Sequence, residues 1–429
     1  MKILLVNPPV YDFTAYDFWL KPLGMLTVAG FLRNQTNFEL FDFLDRSRPD
    51  LPKGFRNNSD KWGRGPYFRQ RTERPGELKG IPRYYHRFGI KRDVFRKFLS
   101  DRSDFDFVMI QTTMTYWYQG IKEVIEDIRR LQPKSRIILG GTYVTLCPGH
   151  AENLGADLCV RGTKLNPLWD FTGLQEDWSQ PALWEVYDKP DNAAIKISDG
   201  CPFRCTYCSV PQTYGSFTPR DRDRAIRELK LILSKGVRNI AFYDDALLCR
   251  PDDALVPFLK YITDNRIDIN LHTPNALNAR LINPQIAELM VKAGVKTFNL
   301  GFESSCYTWQ KKTGGKVYAG EFERAVNDLI TAGARGENIT AYQILGHPMA
   351  DLQGLEKSIR LVNSLGIRGM LADFSPIPGT KDGRMAEKWV DMKNPLMQNK
   401  TAYPIISLGC ERVNQLKELQ NRLNQTIYR

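Results

Sequence analysis

Three cysteines constrain this chain more than any other feature. Cys201, Cys205 and Cys208 stand at C-x3-C-x2-C spacing within Cys201-Pro202-Phe203-Arg204-Cys205-Thr206-Tyr207-Cys208. They follow a short apolar run, Ala193-Ala194-Ile195-Lys196-Ile197, so the order reads as a strand feeding a tight ligand loop. Thiolates at such spacing can converge on one metal centre. Three of them leave a position empty, because an iron–sulfur cluster is normally held by four. A structural zinc site is the competing reading, and it also needs a fourth ligand. The nearest candidates, Cys249 and His272, lie on later elements without paired spacing. The rest of the chain favours a cluster with one iron open to something other than protein.

The run resembles the signature of the radical S-adenosylmethionine (SAM) enzymes. In that family three cysteines hold a [4Fe–4S] cluster and SAM chelates the fourth iron. An electron from the cluster then cleaves SAM to methionine and a 5′-deoxyadenosyl radical. The resemblance implies that Cys201, Cys205 and Cys208 are the ligands and that Tyr207 lies against the adenine. It also implies an external electron donor such as a flavodoxin or ferredoxin.

At 429 residues the chain is long enough for two or three domains with real cores. No apolar run approaches the ~20 residues that span a bilayer. Met1 to Pro9 is too short for a signal peptide and ends in a turn, so a cytoplasmic location is expected. Apart from the triplet the eight cysteines are scattered, which suits a reducing compartment better than a disulfide frame. Cys147, Cys159, Cys249, Cys306 and Cys410 read as packing residues. The net charge of +12 is concentrated: between Arg46 and Lys97 stand 16 Lys and Arg against 5 Asp and Glu.

The first domain is expected over residues 1–185. Lys2 to Asn7 is a buried-strand pattern stopped by Pro8-Pro9. Leu23 to Leu32 has helical spacing, Phe38 to Leu44 alternates as a strand, and Phe105 to Ile110 is a third strand. Ile121 to Leu131 is an amphipathic helix, Arg136 to Gly141 a fourth strand and Ala156 to Val160 a fifth. Strands alternating with helices predict a doubly wound parallel sheet whose ligands sit at the carboxyl ends of the strands. Those ends carry Asn7, Thr113, Thr115, Gly140, Gly141 and Thr142. The order is similar to the Rossmann-like B12-binding domain that precedes many radical SAM domains, and that likeness implies cobalamin over these residues. Two features depart from it. No histidine closely follows the first strand, so the D-x-H-x-x-G box of a lower axial ligand is absent. Gly162-Thr163-Lys164-Leu165 stands where the group often has Gly-Glu-Gly-Glu.

The basic stretch, about 46–97, interrupts this domain. Trp62, Tyr67, Phe68, Tyr84, Tyr85 and Phe88 alternate with Arg56, Arg64, Arg69, Arg71, Arg74, Arg83 and Arg87, and its Gly and Pro predict a long loop. Arginine with aromatics can hold phosphates, carboxylates or stacked bases. A small-molecule or acidic substrate fits better than nucleic acid, because no nucleic-acid module is attached. The competing reading is a solvated loop pinned down by its aromatics.

The second domain is expected over 186–380 as a partial (β/α)6 TIM-like barrel. Strand–helix units recur after the cluster loop, with strands at Asn239–Tyr243, Asp268–His272, Thr297–Leu300, Ile339–Leu345 and Gly369–Phe374. Barrel logic puts the chemistry at their carboxyl ends. By resemblance, Glu303 of Gly301-Phe302-Glu303-Ser304 bonds the SAM ribose with Ser304 beside it. Gly346 matches the G-x-I-x-G-x-P strand bordering the adenine, and Asn275 is a further SAM candidate. Asp244 and Asp245 match the acidic pair after the second strand, and they are candidates for catalysis along with His347. Each has a bland alternative: an Asp pair is often a helix cap, and a histidine beside proline is often a turn residue. Residues 381–429 form a C-terminal extension whose helix, with Val413, Leu416, Leu419 and Leu423 on one face, is expected to dock on the barrel mouth, with plain core packing as its default reading.

Two cofactors in one chain imply divided labour, since side chains can supply neither step. The radical would take a hydrogen atom, and methylcobalamin would supply a methyl group to the resulting carbon radical. The reaction expected is cobalamin-dependent C-methylation. The alternative is a radical SAM cyclase, mutase or other rearrangement enzyme. A methylthiotransferase fits poorly, because no cysteine set matches its extra cluster.

Overall fold

The computed structural model describes residues 1–52, 55 and 59–428. Arg56 of the basic stretch lies outside them. The chain forms two compact units. One comprises 1–194 with 226–237, and the other comprises 195–225 with 238–429.

The first unit is built on a parallel sheet of β1 (Lys2–Asn7), β2 (Asn37–Asp42), β3 (Phe107–Thr112), β4 (Arg136–Gly141) and β5 (Leu158–Val160). Their order across the sheet is β5-β4-β3-β1-β2, the doubly wound arrangement. Side chains alternate across a strand, so β1 feeds two cores. Leu4 and Val6 pack with Phe95, Val124 and Ile128 on one face, while Ile3 and Leu5 pack with Met25, Ala29 and Trp169 on the other. Both faces are covered, which is why β1 and β3 read as apolar runs, whereas the edge strand β2 alternates. β3 reaches Thr112, two residues past the apolar stretch, and carries polar side chains to the sheet's carboxyl edge.

The basic insertion departs from the expected loop. Arg69–Arg71, His86–Phe88 and Val10–Asp12 pair as an antiparallel ribbon, Gly65–Pro66 pairs with Tyr16–Asp17, and Arg92–Ser100 is a helix. Backbone hydrogen bonds hold the ribbon, and all three residues of Arg69–Arg71 are exposed. It therefore carries no apolar alternation to read. Several of its cations are spent internally: Arg46 pairs with Asp17, Arg64 with Asp60, and Arg87 with Glu123.

The second unit is a partial barrel. Its sheet runs in chain order through β6 (Ala193–Ile195), β7 (Asn239–Phe242), β8 (Asn270–Asn278), β9 (Val295–Glu303), β10 (Ile339–Leu345) and β11 (Arg368–Asp373). The boundary between the units falls within β6, after Ala194. Every adjacent pair from β7 to β11 is parallel. The tail divides its contacts. Asp382 and Pro404 meet the barrel mouth, at Thr206 and Gly346. The helix Cys410–Asn424 instead lies along the edge strand β11, with Lys417 bonded to Asp373 and Asn424 to Gly369. The expected docking of that helix on the mouth is corrected here: among the described residues β11 has no strand beyond it, and the helix covers that open edge. No helix among the described residues is long and apolar enough to cross a membrane.

Candidate active site

The loop after β6 carries the three cysteines, and it is fastened rather than loose. Asp244, at the end of β7, accepts hydrogen bonds from the Ile197 and Ser198 amides and the Ser198 hydroxyl. Asp245 binds the Lys196 ammonium at 2.7 Å. Downstream, the Thr206 hydroxyl donates to Asp382, and its amide donates to the Thr313 carbonyl. The acidic pair thus braces the strand and turn that lead into the triplet. Burial pushes the Asp244 carboxyl up to about 6, against the opposing Ser198 bonds and Lys196.

All three triplet cysteines are free and half-buried. Burial pushes their thiols up, that of Cys208 to about 11. A buried thiol of this kind is deprotonated outright by a metal. Among the described residues no three His, Cys, Asp or Glu side chains close on a single ion. A cluster, which gives each thiolate its own iron, asks for a wider triangle. The donor chemistry fits such a cluster.

Facing the thiols is a group that the sequence reading missed. The Lys316 ammonium binds Glu303 Oε1 at 3.0 Å. Burial would pull Lys316 down, but Glu303 and the Cys205 sulfur outweigh it and hold its pKa above the ordinary lysine range. A Cβ on Gly301 would stand 2.2 Å from Lys316 Nζ, so the glycine of Gly301-Phe302-Glu303 leaves room for the ammonium. Glu303 itself adopts φ 64°, a strained backbone for a non-glycine residue and one that concentrates at functional sites. The available signals were the glycine at 301 and the pair Gly314-Gly315 before the lysine.

Tyr207 donates its hydroxyl to Cys205, and its ring stacks on Trp309 at 6.3 Å and 20°. His347 stands edge-on to Tyr207. It is deeply buried, and both of its nitrogens are engaged: Nδ1 accepts from the Met349 amide and Nε2 meets Asp382 at 2.8 Å. His347 therefore links the Gly346 turn and Tyr207 to Asp382 of the tail. Gly346 has φ 90° and lies against Pro404. Asn275 spends its amide on the Tyr243 and Asp244 carbonyls, and Ser304 Oγ accepts from the Cys306 amide. The fold thus gathers Tyr207, Glu303 and Lys316 about the triplet, while the side chains of Asp244, Asn275 and His347 are engaged by hydrogen bonds within the protein.

In the first unit, Asn7, Pro9, Lys21, Gln111, Thr113 and Trp117 line a shallow pocket between the ends of β1 and β3, where the strand order reverses. The Asn7 amide is turned to Asp42 at 2.7 Å. Thr115 is buried at the head of a short 3-10 turn, and Thr142 opens the helix after β4. The two glycines at the end of β4 differ. A Cβ on Gly141 would collide with the Thr112 carbonyl oxygen at 2.1 Å, whereas nothing lies within 4 Å of one on Gly140. Only Gly140 leaves open space at the strand end.

Comparison with known proteins follows the same division. Residues 195–362 match the radical SAM superfamily model. The chain is 24% identical over 288 residues to threonylcarbamoyladenosine tRNA methylthiotransferase MtaB of Thermotoga maritima, covering 62% of this chain and 65% of that one. It is 25% identical over 190 residues to an uncharacterized methyltransferase of Pyrococcus horikoshii, covering 44% and 40%. Over 150 residues it is 46% identical to ribosomal protein uS12 methylthiotransferase RimO of Carboxydothermus hydrogenoformans, covering 31% and 34%. The chain thus spans two thirds or less of these relatives' length. Among solved structures it resembles the radical SAM methyltransferase TsrM of Kitasatospora setae, with TM-score 0.64, 16% identity and coverage of 90% of this chain and 76% of that one. It also resembles the cobalamin-dependent SAM radical enzyme OxsB, with TM-score 0.58, 13% identity and coverage of 98% and 61%. These two likenesses are likenesses of fold.

Proposed function

The chain carries a radical SAM domain over residues 195–362, and from that premise we propose that it is a cobalamin-dependent radical SAM C-methyltransferase. One observation carries the reading: three free thiols on a braced loop face a strained glutamate and a buried lysine. When bound, the cluster and SAM supply hydrogen-atom abstraction from an unactivated carbon, and cobalamin supplies the methyl group. Cys201, Cys205 and Cys208 would hold the cluster. Tyr207, Trp309 and Gly346 would wall the adenine, and Glu303 would accept from the ribose hydroxyls. Lys316 keeps Glu303 fixed and offers a positive charge beside the thiolates. Asp244, Asp245, Thr206 and Asp382 hold the loop in place. In the first unit, the open end of β4 at Gly140 and the β1/β3 crevice with Thr113 would receive the corrin. The electron would come from an external donor, and free thiols suit a reducing compartment.

Fold likeness to TsrM and OxsB supports the cobalamin reading. The curated relatives MtaB and RimO favour a second reading, transfer of a methylthio group. That chemistry needs sulfur from an additional cluster, and the chain before residue 195 holds only Cys147 and Cys159.

The test is anaerobic purification, reconstitution with iron, sulfide and hydroxocobalamin, and reduction with SAM present. The expected result is a bound corrinoid spectrum, 5′-deoxyadenosine, and a product heavier by one CH2. A gain of CH2S would mean methylthiolation. Deoxyadenosine without methylated product would mean rearrangement. Absence of both corrinoid and methylated product ends the methyltransferase reading.

A further inference from the structure

The ribbon of the basic insertion carries a pocket that the radical chemistry does not use. Its wall is formed by Arg71, Glu73, Arg74, Arg83, Tyr84 and Tyr85 around a cavity of about 360 Å³. In the insertion Arg46, Arg64 and Arg87 meet carboxylates, while the cations on this wall are held differently. The Arg71 guanidinium lies 4.0 Å over the ring of Tyr84, itself 63% exposed. Neither Arg71 nor Arg74 has a carboxylate partner among the described residues. Nη1 of Arg74 is closed off from solvent and has no hydrogen-bond partner there. Arg83 donates to the Pro82 carbonyl and is engaged by a further interaction, so it is not a free donor. Behind the pocket, burial together with Arg69 and Arg71 holds the His86 imidazole below its usual range, the response expected in a positive field.

A guanidinium N–H without an acceptor is costly, and Arg74 lines the pocket, where a turn of its guanidinium would bring that N–H to a ligand. An anionic acceptor suits the site, since Glu73 is the only carboxylate beside Arg71 and Arg74 among the described residues of the wall. It should also be compact. The cations converge on a concavity instead of tracking a groove, as a nucleic-acid strand would need, or spreading over a flat face, as an acidic protein would. Guanidinium forks match phosphate oxygens in pairs. We propose that this pocket binds the phosphate or diphosphate group of a small molecule, with Arg74 and Arg71 as its principal donors. The site belongs to the first unit and is independent of the barrel chemistry proposed above.

Calorimetric titration of the full chain with sodium pyrophosphate, inorganic phosphate and citrate tests this. Pyrophosphate is expected to saturate one site. Arg74→Gln and Arg71→Gln should each weaken it about tenfold, since each removes charge-assisted bonds. Arg74→Lys, which keeps the charge and loses the fork, should recover only part of the affinity. Lys122→Gln, an exposed cation outside the pocket, should leave it within about twofold. Arg71 is exposed, so its variant remains informative if Arg74→Gln does not fold. The assignment is overturned by non-saturable pyrophosphate binding, by an equal loss in Lys122→Gln, or by citrate binding more tightly than pyrophosphate. It is equally overturned if an acidic ferredoxin binds through Arg71 and Arg74 and pyrophosphate fails to displace it.

Discussion

At the scale of single residues, the polar side chains at the strand ends divide by what they already hold. Glu303 and Lys316 hold each other beside the thiols, while Asp244 is spent on the turn that precedes them. That makes Asp244 a stability group with a readable titration. Its carboxyl is pushed up to about 6, against about 3.9 for an unfolded aspartate. Between those values the native state keeps a proton that the unfolded chain has released. Stability from this group is therefore greatest below about pH 4 and is lost as pH rises through about 6, by on the order of 3 kcal/mol. Asp244→Asn cannot titrate. Urea unfolding from pH 4 to 7 should show a shallower fall for the variant than for the parent chain. Parallel slopes would refute a raised carboxyl at this position.

Residue identity was legible at the strand ends because barrel and doubly wound folds put polar groups there. What each group touches was not. Asn7 meets Asp42, His347 meets Asp382 and Glu303 meets Lys316, and no local spacing encodes partners so far apart in sequence. Asp244 and His347 read from the sequence as candidate reactive groups, and the structure adds the bonds they already make, Asp244 to Ile197 and Ser198 and His347 to Asp382.

At the scale of elements, the central strands of the first sheet were legible because burial on two faces writes apolar runs, and a barrel strand such as β10 because its burial alternates. The arginine ribbon was not, because its side chains are solvated and only its backbone is paired. The tail helix shows how a helical pattern can be read and its docking missed. Asn424 donates to the Gly369 carbonyl and accepts from the Gly369 amide, both at 2.9 Å. One carboxamide thus takes the place of the next strand on the open edge of β11. Gly369 permits the approach, since a Cβ there would meet Gln420 at 1.9 Å. Asn424→Ala leaves two backbone groups unpaired on a sheet edge and should cost about 1–3 kcal/mol. The expected readout is a lower urea midpoint and, at raised protein concentration, association through the uncovered edge. An unchanged midpoint would show that the helix is held by its apolar face alone.

At the scale of the whole molecule, each unit presents the carboxyl ends of a parallel sheet, and each set of ends has its own chemistry. The barrel ends carry soft thiols and a buried ion pair suited to a cluster and SAM. The first unit's ends carry threonines, an amide and open backbone, with neither thiol nor imidazole among the pocket-lining residues, so they suit a cofactor held by shape. If that division is right, loading of the two cofactors separates by mutation. Replacing Cys201, Cys205 and Cys208 together by alanine should abolish iron and sulfide while leaving reconstituted corrinoid absorbance intact. The converse variant is Gly140→Phe. Nothing lies within 4 Å of a Cβ there, so the ring can enter the open space without breaking the sheet, and it should exclude the corrin while iron content stays normal. Gly141→Ala is the wrong probe, because its methyl would strike the Thr112 carbonyl and damage the fold. Corrinoid retained at full occupancy in Gly140→Phe would mean that the end of β4 is not where that cofactor lies. Corrinoid lost from the triple alanine variant would mean that the two sites do not load independently.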